Sequence, residues 1–288
     1  MATRRCPSLG GRRGTGLRDC SRDSADSSAQ LSGGEMFEEL LKQLPVDAKV
    51  TAVAVGAFLT AVLIEGPDGA KSCGLSSTIA EELHPNRGVP VEEAGRLEGL
   101  GLEQLAQLAF SNSPTEVSVG IAAVNAGLQL ASGPLEKSLS PEWRGINAEQ
   151  LIAQIGSGKR VALVGHFPFV SRLREKVGNL WVLELTPCED DLPAEAAPEI
   201  LPQADVLAMT SMTLVNQTFP ELIRHKRPGA VALMLGPGTP LSPILFDYGL
   251  DYLSGAVVRE PDPLLRALSQ GANFRQVRRH TELVTMKA

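Results

Sequence analysis

Residues 160–170, RVALVGHFPFV, begin like the first strand of a nucleotide-binding fold and then depart from that pattern. The apolar run VALV is typical of a buried parallel strand, and Gly165 follows it where such a strand turns. A dinucleotide-binding turn has two further glycines, which let the backbone approach a pyrophosphate. This chain has Phe167 and Val170 at those positions and His166 directly after Gly165. The stretch therefore predicts a Rossmann-like strand whose turn binds something other than a dinucleotide.

Strands and helices alternate along the chain from about residue 143 onward. The predicted strands are residues 161–164, 180–185, 206–210, 230–235 and 252–253. The predicted helices between and after them are residues 171–177, 216–224, 243–248 and 263–270. Alternation at this spacing indicates βαβ units, and hence a mostly parallel sheet with helices on both faces.

The region before residue 143 has its strands first and its helices after, which predicts a smaller α+β domain. Its predicted elements are strands at 50–55, 59–65 and 71–75 and helices at 102–110 and 114–131. Residues 1–35 are rich in Gly, Ser and Arg and have almost no large apolar side chains, so they predict a disordered tail. The predicted organisation is a tail at 1–35, the α+β domain at 36–142 and the Rossmann-like α/β domain at 143–288.

The composition is that of a soluble globular protein, because 43% of the 288 residues are hydrophobic and 21% are charged. The formal net charge is −6 at pH 7, which argues against nucleic acid as a partner. The apolar stretch 50–64 is shorter than the ~20 residues of a membrane-spanning helix, and no apolar secretory signal begins the chain. None of the cysteines forms a C-x-x-C pair, so no disulfide framework or structural zinc site is indicated. We expect a cytoplasmic protein without a membrane partner. Whether it forms a homo-oligomer stays open.

Ligands of open α/β sheets bind at the carboxyl ends of the strands, and four strand ends of this chain carry unusual residues. Glu184 lies where a dinucleotide-binding fold has its ribose-binding acid. Two later loops offer hydroxyls and backbone amides at helix N-termini, where the helix dipole favours an anion. The candidate ligand-binding residues at these ends are Gly165, His166, Glu184, Thr210, Thr213, Asn216, Gly236, Gly238 and Thr239.

His166 and Glu184 are also the candidate metal ligands. Imidazole and carboxylate groups both bind divalent metals, but two ligands do not complete a site. His84 is a candidate third ligand from the smaller domain. His166 has three other interpretations that stay open: a structural histidine of the turn, a donor to a ligand carboxylate, and an acid or base.

Several motifs, in the same order along both domains, resemble a known family. In the Rossmann-like part they are VGHFPFV, LELTPCEDDLPAEAAPEILPQADVLAMTSMTLVNQT and LMLGPGTPLSPILFDYGLDYLSG. In the smaller part they are GLSSTIAEEL and NSPTEVSVGIAAVNAGL. Over roughly residues 36–284 the chain resembles the family called "Putative heavy-metal chelation", a family of unknown function.

The resemblance implies an enolase-N-terminal-like domain followed by a Rossmann-like domain, with a site between the two. Carried over by position, that site takes in the strand-end residues named above together with Ser76 and Asn112 from the smaller domain. The resemblance implies no enolase activity, because no catalytic barrel follows the first domain. The cofactor stays open, and a divalent or heavy metal ion is the candidate.

The leading hypothesis is a protein that binds a small anionic ligand or a metal chelate in the cleft between the domains. One alternative is an enzyme acting on a small anionic substrate, with His166 as the acid or base and the loop 236–239 holding the anion. A second alternative is an NAD(P)-dependent oxidoreductase, which the missing glycines at Phe167 and Val170 disfavour. Whether the protein is catalytic stays open.

Overall fold

The computed structural model describes residues 33–79, 91–131, 146–188 and 190–288. The predicted disordered tail lies outside these residues except for 33–35, and so do His84 and the predicted domain boundary between residues 142 and 143. Residues 33–35 form the first turn of the helix α1 (Gly33–Leu41), which therefore begins before Met36.

An antiparallel meander forms the small sheet. Its strands pair in the order β1-β2-β3 and are β1 (Lys49–Val55), β2 (Leu59–Glu65) and β3 (Lys71–Ser77). All three predicted strands are confirmed, and β3 runs two residues further than predicted, to Ser77. The turn between β1 and β2 contains Phe58, which is 55% exposed.

A seven-stranded sheet forms the second layer. Its strands are β4 (Arg160–Val164), β5 (Asn179–Glu184), β6 (Leu192–Pro193), β7 (Val206–Thr210), β8 (Val231–Leu235), β9 (Tyr252–Val258) and β10 (Thr281–Lys287). The spatial order is β10-β9-β8-β7-β4-β5-β6, and every pair is parallel except β9 with β10. The chain thus moves outward from β4 in both directions, which is the doubly wound order of a Rossmann-like sheet.

The α-helices that follow α1 are mostly short. They are α2 (Leu102–Ala106), α3 (Pro114–Leu130), α4 (Ala148–Ile155), α5 (Val170–Arg174), α6 (Ala197–Ile200), α7 (Met212–Val215), α8 (Phe219–Arg224), α9 (Ile244–Asp247), α10 (Pro261–Ser269) and α11 (Phe274–Val277). The helix predicted at 216–224 is confirmed over Phe219–Arg224, but it begins three residues later than predicted, because Gln217 has a φ of 60°, outside the helical range, and separates α7 from α8. Within the described ranges, we find no helix with the length and apolar character needed to cross a membrane.

One apolar core joins the two sheets. Val62 and Ile64 of β2 belong to the same buried cluster as Met209 of β7 and Met234 of β8. The opposite face of the small sheet is covered from the C-terminal part of the chain, by Leu264 and Leu268 of α10. The described parts of the two predicted domains therefore share one apolar core.

Helix α3 packs closely against the small sheet and is hydrogen-bonded to the loop after β8. A Cβ atom on Gly74 of β3 would overlap the backbone of Ala122 and Ala126, so only glycine allows this contact. The buried Asn125 Nδ2 donates to the Leu75 carbonyl oxygen at 2.8 Å and to the Gly238 carbonyl oxygen at 3.0 Å. Asn125 therefore links β3 to the loop after β8 and has a structural role.

Candidate functional site

A cavity of about 830 Å³ lies at the carboxyl ends of β4, β5 and β7. In the sheet, β4 lies between β5 and β7, and the strand order runs outward from β4 in both directions. The carboxyl ends of these three strands therefore border the crevice where doubly wound sheets bind ligands. The wall continues onto the small sheet through Phe58, Leu59 and Ser77. It is closed on other sides by residues from α6, α8 and α11.

The structure brings most of the predicted site residues to this wall. The predicted residues that line the cavity are Gly165, His166, Glu184, Thr210, Thr213, Asn216 and Gly236. Four others do not line it: Ser76, Gly238 and Thr239 are buried, and Asn112 is exposed elsewhere. Ser77 contributes to the wall where Ser76 was predicted.

Several backbone amides of the two predicted anion-binding loops already have partners within the chain. The Ser211 amide donates to the Leu235 carbonyl oxygen at 2.8 Å, and the Gly236 amide donates to that of Ser254 at 3.1 Å. The Thr239 amide donates to the Gly236 carbonyl oxygen at 3.1 Å. An anion would have to break these hydrogen bonds to use the three amides, which costs free energy.

Gly165 and Glu184 fix the position of His166. Gly165 has a φ of +101°, which favours glycine, and a Cβ there would come within 3.1 Å of the Thr210 side chain. The His166 amide donates to Oε2 of Glu184 at 2.7 Å, and the Leu185 amide donates to Oε1 at 2.7 Å. Both carboxylate oxygens of Glu184 therefore accept hydrogen bonds from backbone amides, and through these bonds Glu184 positions the turn that carries His166.

His166 lies close to Cys188 and Asp191, two residues that were not among the ligands predicted from the sequence. One donor atom from each of the three residues lies within 4.8 Å of the others. The His166 Nδ1 atom is 2.8 Å from Oδ2 of Asp191. The Asp191 side chain is only 1% exposed, and its Oδ1 atom has no hydrogen-bond partner within the described residues. The described metal-ligand cluster is thus His166, Cys188 and Asp191, and Glu184 is outside it.

The loop after β5 holds Cys188 and Asp191 in place. The Asp191 amide donates to the Cys188 carbonyl oxygen at 3.0 Å, and the Cys188 amide donates back to Oδ2 of Asp191 at 3.0 Å. The Arg174 guanidinium donates to the carbonyl oxygens of Leu180 and Asp190, which ties the loop to β5. The sequence does contain a signal for this cluster, the run CEDD at residues 188–191, which offers a thiol and three carboxylates. It follows β5, which pairs with β4, so the run lies near the turn that carries His166.

The donor set fits a soft or borderline divalent metal. Zinc is bound by thiolate, imidazole and carboxylate groups, and sulfur ligands favour the softer metals. Three protein ligands leave a coordination position for a further ligand. A buried carboxylate oxygen without a hydrogen-bond partner is costly, and a bound cation at Oδ1 of Asp191 would remove that cost.

Comparison with known proteins gives one consistent family. Two family models with the description "Putative heavy-metal chelation" match residues 37–128 and 147–287. An uncharacterized protein of Methanocaldococcus jannaschii is 26% identical over 235 residues, which cover 78% of this chain and 85% of that protein.

Two solved structures from the DUF364 family, both of proteins with unknown function, are similar to this fold. The one from Desulfitobacterium hafniense is 27% identical, with a TM-score of 0.70, and the match covers 89% of this chain and 98% of that one. The one from Pyrococcus horikoshii is 22% identical, with a TM-score of 0.74 and coverage of 89% and 99%. The α/β fold and the family resemblance predicted from the sequence are therefore confirmed, whereas the likeness of the small sheet and α3 to an enolase N-terminal domain stays a prediction.

Proposed function

Because this chain belongs to the family described as "Putative heavy-metal chelation", we propose that it binds a soft or borderline divalent metal ion through His166, Cys188 and Asp191. One observation carries the proposal: a donor atom from each of the three residues lies within 4.8 Å of the other two, and the Asp191 side chain among them is only 1% exposed. Exposed acidic groups often cluster without a metal, but a buried carboxylate with an unpartnered oxygen needs a cation or a donor.

Each residue has a separate part in this proposal. The Cys188 thiolate selects for the softer metals, and the Asp191 carboxylate supplies negative charge in a buried position. His166 belongs both to the cluster and to the cavity wall, so it connects the metal to whatever occupies the cavity. Glu184 supports His166 through the backbone amide, in the way that outer-shell groups orient metal ligands.

The proposal differs from the sequence-based prediction in two ways. Cys188 and Asp191, and not Glu184, are the metal ligands beside His166, and no small anionic ligand is proposed. Three of the loop amides on which the anion prediction depended, those of Ser211, Gly236 and Thr239, donate to carbonyl oxygens of the chain. The oxidoreductase alternative gains no support either, because Phe167 stacks on Phe169 with ring centroids 5.1 Å apart where a dinucleotide turn needs bare backbone.

An acid or base role for His166 is the second candidate function. The Nδ1 atom of His166 lies 2.8 Å from the Asp191 carboxylate, and a catalytic histidine is commonly oriented by a carboxylate in this way. The two candidates differ in their need for Cys188. Metal binding requires its sulfur, whereas acid–base chemistry by the His166–Asp191 pair does not.

Calorimetric titration of metal-stripped protein with Zn²⁺ and Cd²⁺ tests the proposal. We expect His166→Ala, Cys188→Ser and Asp191→Asn each to lower the affinity at least about tenfold, since even outer-shell changes cost about 10–100-fold. Asp190→Asn is the matched control, because it removes the same charge from the exposed neighbouring residue and leaves the cluster intact. Wild-type affinity in all three cluster variants would refute the metal site.

A further inference from the structure

The cavity beside the cluster is much larger than a metal ion needs. Its volume is about 830 Å³. An ion with six waters fills only about 200 Å³, at roughly 30 Å³ for each water. Cavities of about 300–1,000 Å³ are typical of sites for small organic molecules. The space next to His166 therefore has room for an organic molecule as well as the metal.

Large apolar side chains face this space. Phe58 in the turn after β1, Phe167 after β4 and Phe274 at the start of α11 all line the cavity and come from three distant segments. Phe58 is 55% exposed and Leu185, also on the wall, is 57% exposed. Exposed apolar groups gathered around one concave site indicate an occupant with an apolar body, which would remove them from water. Aromatic side chains favour flat occupants, on which they stack.

The charges on the wall have one sign. Glu184, Glu195 and Glu221 line the cavity, together with His166 and His225. No lysine or arginine lines it among the residues that the structure describes. A wall with this charge pattern attracts a cation and repels an anion. The wall therefore favours an occupant that carries positive charge.

We propose that the cavity binds a planar, apolar organic molecule that carries positive charge. The charge has two chemical sources: a metal ion held by a neutral aromatic chelator, or an ammonium group on the organic molecule itself. In the first case the inference rests on the proposed function, because the chelated ion is the one that His166, Cys188 and Asp191 bind. In the second case the cavity works independently of the metal cluster.

Three probes, titrated into the full chain by calorimetry, test this inference. The zinc complex of 1,10-phenanthroline is planar and cationic, and tryptamine is a planar organic cation without metal. Zinc nitrilotriacetate is aliphatic and anionic and serves as the contrasting probe. We expect zinc phenanthroline, tryptamine or both to bind at least about tenfold more tightly than zinc nitrilotriacetate, since one aromatic contact and one charge contact together supply about that factor.

Two variants of the wall sharpen the test. Phe58→Ala and Glu195→Gln change exposed residues, and we expect each to lower the affinity for the cationic probe about five- to tenfold. Val46→Ala and Glu199→Gln are the matched controls, because both residues are exposed and neither lines the cavity. Free Zn²⁺ should bind equally to all four variants, since none of the changed residues belongs to the cluster.

The outcomes separate this inference from the proposed function. Equal binding of zinc nitrilotriacetate and the two cationic probes would overturn the inference, and so would wild-type probe affinity in both Phe58→Ala and Glu195→Gln. If free Zn²⁺ binds and neither cationic probe does, the inference fails while the metal site stands. If tryptamine binds and free Zn²⁺ does not, the inference stands while the metal site fails.

Discussion

The Nδ1 atom of His166 lies 2.8 Å from Oδ2 of Asp191, and this contact joins the loops that follow the adjacent strands β4 and β5. The same carboxylate oxygen accepts the Cys188 amide at 3.0 Å. Asp191 therefore positions both the imidazole and the segment that carries the thiol. The cluster depends on one buried side chain, which explains how two exposed donors, His166 and Cys188, are held close together.

The two described cysteines should react very differently with an alkylating reagent. Cys188 is exposed, whereas burial raises the pKa of Cys73 to about 12, and the thiolate is the reactive form. We expect iodoacetamide at about pH 8 to modify Cys188 quickly and Cys73 only after unfolding. Peptide mass spectrometry of samples quenched over time measures both rates.

Bound metal should protect Cys188 in that experiment. A metal-bound thiolate is not free to attack, so saturating Zn²⁺ should slow the modification of Cys188 about tenfold or more. The protection should disappear in His166→Ala, which keeps the thiol and removes another ligand of the cluster. Equal rates with and without Zn²⁺ in the wild-type protein would speak against Cys188 as a ligand.

The fold class could be predicted because the strands of the large sheet are continuous apolar runs separated by clear turn residues. Two strands were missed for physical reasons. β6 has only two residues, and β10 returns antiparallel along β9, outside the βαβ pattern. β9 was predicted too short, because Ser254 and Gly255 interrupt its apolar run although the strand is buried along its whole length.

The candidate site was predictable only in part. The rule that ligands bind at strand ends selected His166 and Glu184, because both lie close to the carboxyl end of a predicted strand. Cys188 and Asp191 lie further out in the loop after β5, where no periodicity fixes the direction of a side chain. Their convergence on His166 depends on hydrogen bonds of the Asp191 carboxylate, and such contacts between loops cannot be read from residue spacing.

Asn125 should be important for the stability of the fold, although it does not belong to the metal-ligand cluster. Its amide group donates to two carbonyl oxygens, of Leu75 and Gly238, inside the protein. Asn125→Ala leaves both oxygens without this donor, and we expect it to lower the free energy of unfolding by about 2 kcal/mol. Gln129→Ala, one turn further along α3 with a long 3.5 Å contact to Ala256, should cost less than about 0.5 kcal/mol. Urea denaturation measures both, and equal costs would show that the two-carbonyl link is unimportant.

Gly238 should matter for packing and not for ligand binding. A Cβ atom there would lie 3.1 Å from Cα of Ser76 and 3.3 Å from Oγ of Ser211. We expect Gly238→Val to lower the free energy of unfolding by about 1–3 kcal/mol, as overpacking does, and to leave Zn²⁺ affinity unchanged. Gly99→Val is the control, because a Cβ at Gly99 meets no atom within 4 Å. Denaturation and calorimetry on the same samples separate the two effects, and weaker Zn²⁺ binding with wild-type stability would instead place Gly238 in the site.

Acid should weaken the contact between α4 and α5 through Glu149. Its carboxylate accepts from Arg172 Nη2 at 2.7 Å and from Lys176 Nζ at 2.7 Å. These hydrogen bonds, that of Arg172 first, lower the pKa of Glu149 to about 2. The native state therefore favours the ionised form. The stabilisation is fully present above the unfolded-state pKa of roughly 4.3 and is lost as the pH falls towards 2.

Glu149→Gln should remove this pH dependence. We expect the variant to melt at a lower temperature than the wild type at about pH 6, with the difference shrinking between about pH 4 and pH 2, because the wild-type carboxylate becomes protonated in that range. Glu175→Gln is the matched control: Glu175 is exposed, and its replacement should leave the melting curve unchanged at every pH. Melting temperatures recorded by circular dichroism across this range check the prediction. A constant difference between Glu149→Gln and the wild type from pH 6 to pH 2 would show that Glu149 stabilises the protein by its packing and not by its charge.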